Sequence, residues 1–495
     1  MSLTRRITAA DLYARRWQLL ALTSVGAFMA PLDGAIVSVA LKSIGSDLDL
    51  SFSASMWVQA VYLLVMAVLL IPLGRLADHY GRVRFYLLGV VVFTVGSLAS
   101  ALSMNGAWLI GSRAVQGVGG ALLAATAAAI VTAVFPAEER GRALGINVAA
   151  VYVGLSIGPP LGGFLVDTLG WRWIFLVNLP IGVVVLLLGW LLLPRDERDD
   201  ERVQQPDVAG AALLGLFLVC LLVPLTFAGQ WGWSAARTIV PLAVAALGLA
   251  AFVAVEGRTR DPLVDLALLV RNRLFAAANL AALLNYMALA AIGVLTAVYL
   301  QVVQHRSPAL TGWVMLGQPL MQAVLSPLSG RLSDRIGSRA LTTGGMGVIA
   351  AGMVVLASAP HTAGLERIVV GLVVAGVGLA AFSAPNASAI MGSVTRDRLG
   401  LASSFLALMR VTGQALSLGV LGGIAASQLG RLGGRLIFTR GAGAAAGVLP
   451  AGVVSDFAHG YQLAMLTGAG LAVVGALVSL TRGPRAPDDT MASQA

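Results

Sequence analysis

Fourteen apolar runs, most of them long enough to cross a bilayer as a helix, follow one another through this 495-residue chain. A hydrocarbon core about 30 Å thick takes roughly 20 helical residues at a rise of about 1.5 Å each. The runs fall at 17–40, 54–74, 85–103, 107–133, 143–166, 173–193, 208–228, 238–256, 274–303, 310–330, 341–358, 364–391, 401–425 and 459–481. Only 11% of residues are charged, against roughly 25% in a soluble domain. The chain therefore reads as an all-α integral membrane protein, with a lipid bilayer as its first partner and no separate soluble domain.

A formal net charge of +10 would suggest nucleic acid in a soluble protein, but here the charges sit in loops, where they report topology. If the N-terminus is cytoplasmic, the opposite side holds only Lys42, Arg172, Arg237, Arg306, Arg431, Arg435 and Arg440, and the helices hold Arg113, Arg367 and Arg410. All other arginines lie on the inner side, so both termini are expected in the cytoplasm of a multi-pass cell-membrane protein. Lys42 is the sole lysine and follows Leu41. The phosphate-cradling G-x-x-x-x-G-K-[ST] loop is therefore missing, and neither nucleotide nor nucleic acid is expected as a partner. The single cysteine, Cys220, excludes an intramolecular disulfide, and the four histidines lack ligand spacing, so no metal is expected.

Residues 74–81 read GRLADHYG and residues 330–337 read GRLSDRIG, one copy in each half of the chain. Internal duplication is how many secondary transporters are built, with substrate held between the halves. The predicted division is a six-helix bundle over 1–193, a linker with two inserted helices over 194–273, a second six-helix bundle over 274–481 and a cytoplasmic tail over 482–495. The mixed-charge stretch from Arg195 to Asp207 forms the joint, and the Gly/Ala-rich stretch 426–458 is expected as a long outer loop.

Several further motifs stand in order along the chain. They are G-x-L-x-D-x-x-G-R at Gly74, Leu76, Asp78, Gly81 and Arg82; Leu32, Asp33, Ala35, Ile36, Val37, Val39 and Ala40 in the first run; and R-x-x-Q-G-x-G-G at Arg113, Gln116, Gly117, Gly119 and Gly120. The fifth run carries G-x-x-x-G-P-x-x-G-G at Gly154, Gly158, Pro159, Gly162 and Gly163, and WRWIFLVNLPIG follows at 171–182, with Arg410 and Gly413 in the thirteenth run. The sequence resembles the major facilitator superfamily, and within it the fourteen-helix drug:proton antiporter branch. It departs from the branch at Gly34, where a threonine is usual, and at Ser338, where the second loop copy lacks the arginine of the first.

Asp33 is the one acid placed clearly far from both interfaces, where an unpaired charge costs several kcal/mol. Asp33 and Arg113 lie roughly 10 Å and 9 Å from the same side at about 1.5 Å per residue, so the two are expected to meet. Asp33 is read as the proton carrier, and the alternative is a static ion pair that ties two helices. Gly154, Gly158 and Gly162 share a helix face, which permits close helix approach; the resemblance implies that this face seals the cavity in one conformation. It also implies a latch at Gly74, Asp78, Gly81 and Arg82, with Gly330, Asp334 and Arg335 as a weaker second copy. Polar side chains inside helices are candidates either for a substrate cavity or for bonds to neighbouring helices: Gln59, Tyr62, Tyr152, Asn285, Tyr286, Gln301, Gln318, Gln322, Asn386 and Gln414. Relatives that export organic cations often carry acids in the tenth or thirteenth helix. Here those helices contain none, and the thirteenth carries Arg410 instead.

The expected function is export of small lipophilic compounds in exchange for protons by alternating access, with the proton gradient in place of a cofactor and a monomer as the working unit. Two other readings stay open: a proton-coupled importer or facilitator of a nutrient, and a non-transporting membrane receptor or scaffold. No nucleophile and base pair suggests an enzyme.

Overall fold

The computed structural model describes residues 13, 15–192, 207–259, 266–359, 364–395, 398–438 and 450–482. The described residues form helices only: α1 (Arg16–Asp47), α2 (Phe52–Tyr80), α3 (Arg82–Ala101), α4 (Gly106–Val134), α5 (Ala137–Thr168), α6 (Trp173–Leu176), α7 (Asn178–Leu192), α8 (Val208–Trp231), α9 (Ala236–Glu256), α10 (Leu266–Arg271), α11 (Arg273–Val302), α12 (Pro308–Met315), α13 (Gly317–Ile336), α14 (Ser338–Ala357), α15 (Glu366–Met391), α16 (Leu399–Leu436) and α17 (Ala451–Leu480). Twelve helices among the described residues are long and apolar enough to cross a membrane. Two of the fourteen expected crossings do not meet that measure. The apolar stretch Ala209–Leu225 within α8 is short, and the run at 310–330 is broken into α12 and α13 at Leu316.

Starts and turns are fixed locally. Ser51, Asn105 and Ser307 accept hydrogen bonds from backbone N–H groups of the first turns of α2, α4 and α12, the usual way to satisfy orphan donors at a helix start. The two copies of the repeated loop adopt one geometry: Gly81 joins α2 to α3 at φ 113° and Gly337 joins α13 to α14 at φ 87°, a left-handed region that disfavours any residue with a Cβ.

The duplication shows in the packing. In the first half α1 packs on α5, and α4 packs on α2 and α3; in the second, α11 packs on α16, and α15 packs on α13 and α14. The halves meet along α2 with α16 and α5 with α12, while α8 touches one helix of each half, α2 and α16. Stacked rings of Trp57, Phe227 and Trp231, 5.2 Å and 5.0 Å between successive centroids, fix α8 against α2.

Two expectations are corrected. Residues 426–458 are not one loop: α16 continues to Leu436 past a break at Gly430 (φ 60°), and α17 begins at Ala451. Burial explains this, because Phe52 packs on Phe438 and Phe457 from either side of the supposed loop. Arg482, expected in a solvated tail, is 2% exposed. It donates to Thr342 Oγ1 at 3.2 Å and to Asn386 Oδ1, and burial pushes its pKa down to about 10. The joint over 195–206 and the tail beyond 482 lie outside the described residues.

Candidate coupling site and central chamber

The end of the bundle where α1 finishes is called distal here, and the end where it starts proximal. Near the distal end, α1, α3, α4 and α7 bring five polar side chains together with no measurable exposure: Asp33, Ser97, Arg113, Gln116 and Asn178. Asp33 and Arg113 are an ion pair, with Arg113 Nη1 donating to Asp33 Oδ2 at 2.5 Å. The other carboxylate oxygen accepts from Gln116 Nε2 at 2.8 Å and Asn178 Nδ2 at 3.0 Å. Ser97 Oγ accepts from the same two amides at 2.7 Å and 3.1 Å, and so orients both. Arg113 is held in turn by Nε donating to the Val58 carbonyl at 3.0 Å and by the Tyr62 ring, whose centroid lies 4.5 Å from its Cζ.

Glycine makes this assembly possible at one crossing. A Cβ on Gly96 would lie 2.8 Å from the Gln116 backbone nitrogen, so α3 and α4 touch backbone to backbone and Ser97 reaches the amides beside it. The carboxylate thus accepts three hydrogen bonds, one of them charge-assisted, in a site without water access.

The glycines of α5 serve two contacts. A Cβ on Gly154, Gly158 or Gly162 would lie 2.5 to 3.0 Å from Phe28, Ala35 or Ile36 of α1, within the same half. Gly163 faces the other half, where a Cβ would lie 2.3 Å from the Pro308 carbonyl; one on Gly312 would lie 2.2 Å from the Pro159 carbonyl. Around this crossing Asp167 Oδ2 accepts from the Ala309 N–H at 2.8 Å, Lys42 Nζ donates to the Gln301 carbonyl at 2.7 Å, and Gln301 Nε2 donates to the Val39 carbonyl at 2.8 Å. The distal ends of the halves are sealed together.

At mid-depth a second polar group straddles the halves. Tyr152 of α5 neighbours Gln322 and Ser326 of α13, Tyr286 of α11 neighbours Ser383 of α15, and Gln322 Nε2 donates to Ser383 Oγ at 3.3 Å. Arg410 of α16 lies within electrostatic reach of both phenols. Gln318 and Gln414 are half-buried on α13 and α16.

Other cavity candidates lie elsewhere. Tyr62 belongs to the Arg113 cluster, and Gln59 turns to α1, donating to the Gly34 carbonyl at 3.3 Å. Gln301 is corrected to the distal seal and Asn386 to the Arg482 cluster, because their polar atoms bond there and each is 1% exposed. Asn285 is fully buried, and neither polar atom of its amide has a hydrogen-bond partner among the described residues. In the repeated loop, Arg82 Nε donates to Asp78 Oδ1 at 2.6 Å, across the Gly81 break between α2 and α3, and Nη1 to the Ala129 carbonyl of α4 at 3.4 Å. Gly74 faces Ala125 of α4 at ordinary contact distance, while Gly330 meets nothing nearby and Arg335 is exposed. The side chain of Asp334 lies outside the described residues. Ser97, Lys42 and Asp167 went unrecognised in the sequence, and Asn178 was noticed only inside the WRWIFLVNLPIG motif.

The family model of the major facilitator superfamily matches residues 23–261 and 278–491. The chain belongs to the major facilitator superfamily. Among curated relatives of this superfamily member, multidrug resistance protein Stp of Mycobacterium tuberculosis is 38% identical over 84% of this chain and 77% of its own length. The riboflavin transporter RibZ of Clostridioides difficile is 34% identical over 80% and 85%. The tetracenomycin C resistance and export protein of Streptomyces glaucescens is 31% identical over 97% and 94%. Among solved structures, a bacterial homologue of the human lysosomal transporter Spinster, inward-facing and occupied, superposes with a TM-score of 0.67 at 18% identity, covering 94% of this chain and 96% of that one. That likeness carries the fold. The protein is a multi-span membrane transporter of small molecules rather than an enzyme.

Proposed function

We propose that this transporter exports small lipophilic compounds across the cell membrane in exchange for protons, as a monomer, with the proton gradient as its only energy source. The observation that carries the reading is the fully buried Asp33, paired with Arg113 and bonded to Gln116 and Asn178 just beneath the distal seal. The distal end is taken as the outer face and both termini as cytoplasmic, in line with the arginine distribution. The α8 helix and the α12–α13 pair complete fourteen crossings.

In the sealed form Asp33 and Arg113 lie paired. Opening the distal seal brings water and a proton to the carboxyl. Protonation removes the partner of a buried guanidinium, which is costly in a low-dielectric interior, so the sealed network cannot persist unchanged around a neutral Asp33. Proton gain and loss are thereby tied to the opening and closing of the distal contacts between α5 and α12. The names of the Stp and tetracenomycin relatives support export. The riboflavin transporter relative favours a second reading on the same fold, a carrier for a vitamin-like solute.

Inside-out membrane vesicles with an acidified lumen test the direction and the coupling. Export predicts that a fluorescent substrate accumulates in the lumen and leaks out when an uncoupler is added. Accumulation indifferent to the uncoupler contradicts the reading, and uptake only with an alkaline lumen supports the importer.

A further inference from the structure

Among the described residues, Arg410 of α16 is a cation at mid-depth with no counter-ion. Arg410 lies roughly 16 Å along α16 from its proximal end at about 1.5 Å per residue, close to the middle of the bilayer. It is half-buried and, among the described residues, makes no hydrogen bond or ion pair. The other arginine at comparable depth, Arg113, is neutralised by Asp33. Both oxygens of Asp33 are occupied within the first half, so that acid does not serve Arg410 as well.

Among the described residues, the groups recorded near Arg410 are aromatic and polar. Tyr152 comes from the first half and Tyr286 from the second, and both phenols feel the guanidinium charge. Gln322, Ser326 and Ser383 lie beside them, and Gln322 Nε2 donates to Ser383 Oγ. A guanidinium offers a planar fork that matches a carboxylate and also stacks on rings.

We infer that Arg410, Tyr152 and Tyr286 form an anion subsite, and that the compounds carried are monovalent aromatic acids, either carboxylates or phenolates. The inference takes the direction of transport from the export reading, but the charge preference of the chamber stands apart from it. Alternating access requires the chamber to close and lose water at some point in each cycle. An unpaired guanidinium resists that step in a membrane interior, and a bound acid removes the obstacle by neutralising it. A cationic compound of the same shape meets like charge and is rejected. There is also an electrical consequence. An anion leaving the cell and a proton entering move charge in the same direction, so an inside-negative membrane potential drives the exchange. Replacing the acid by a neutral compound reduces the charge moved per molecule by one.

The test uses the full chain in lipid nanodiscs at neutral pH and three probes with one ring system: 9-anthracenecarboxylate, 9-anthracenemethanol and 9-(aminomethyl)anthracene. Equilibrium dialysis reads their affinities. Wild type is expected to bind the carboxylate about tenfold or more tighter than the alcohol, as one charge-assisted contact predicts, and the amine most weakly. Arg410→Gln is expected to lose most of that preference, while Arg410→Lys keeps its sign and so controls for folding. Carboxylate binding no tighter than alcohol binding in wild type overturns the inference, as does an undiminished preference in Arg410→Gln. If the preference behaves as expected but vesicle accumulation ignores the proton gradient, the export reading falls and the anion subsite stands.

Discussion

Asn178 Nδ2 donates to Asp33 Oδ1 at 3.0 Å across 145 residues of chain, and Ser97 Oγ accepts from the same amide at 3.1 Å. This neutral contact helps to hold the Asp33 carboxyl group in place beside Arg113. Asn178→Leu removes the donor and leaves Arg113 in place. Proton-driven transport is expected to slow in this variant while substrate binding is kept, because the carboxyl group loses a contact that positions it. A transport rate identical to wild type would show that Asn178 only packs.

Arg113 and Asp33 are both fully buried, so removing one leaves the other stranded. Arg113→Ala is expected to destabilise the protein by about 3–5 kcal/mol, while the neutral pair Asp33→Asn with Arg113→Gln recovers most of the loss. Thermal unfolding in detergent measures both. Equal Tm losses in single and paired variants would mean that the charges are not coupled.

The α5 glycines separate stability from gating. Gly158 packs on α1 within one half, whereas Gly163 packs on α12 of the other. Leucine at either position collides with neighbouring atoms. Gly158→Leu is expected to lower Tm and, with it, transport; Gly163→Leu is expected to abolish transport with little change in Tm, because each half still folds but the distal seal cannot close. Cysteine-accessibility labelling near Ala309 checks the second case and should show a permanently open distal side.

Asp78 and Arg82 bond across the break at Gly81 on an exposed surface, where an ion pair contributes about 0–1 kcal/mol. Asp78→Asn is therefore expected to leave Tm nearly unchanged while slowing transport, if the pair acts as a latch between conformations. A loss of Tm as large as that of Arg113→Ala would assign it a folding role.

How much of this was legible beforehand depended on how sharply a residue departs from its surroundings. A carboxylate and an arginine inside apolar runs stand out because the bilayer penalises both, so Asp33 and Arg113 were visible, and their depths predicted that they would meet. Ser97 and Asn178 are neutral and small, and a lone serine or asparagine in an apolar helix gives no sign of which neighbour it faces. Gln301 and Asn386 illustrate the same limit from the other side. Residue type marked them as polar, but only packing shows that one secures the distal seal and the other holds Arg482. The stretch 426–458 misled because its glycines weaken the helical signal that its alanines supply, and tertiary burial around Phe52 decided the outcome.

Proton-driven export by Asp33→Asn is the most direct measure of the coupling claim. The assay compares wild type, Asp33→Asn and the paired variant Asp33→Asn with Arg113→Gln in proteoliposomes, with size-exclusion profiles confirming that each is folded. Coupling through Asp33 predicts that both variants fail to accumulate substrate against a gradient, although they still bind it. Accumulation at the wild-type level by either folded variant would contradict the account.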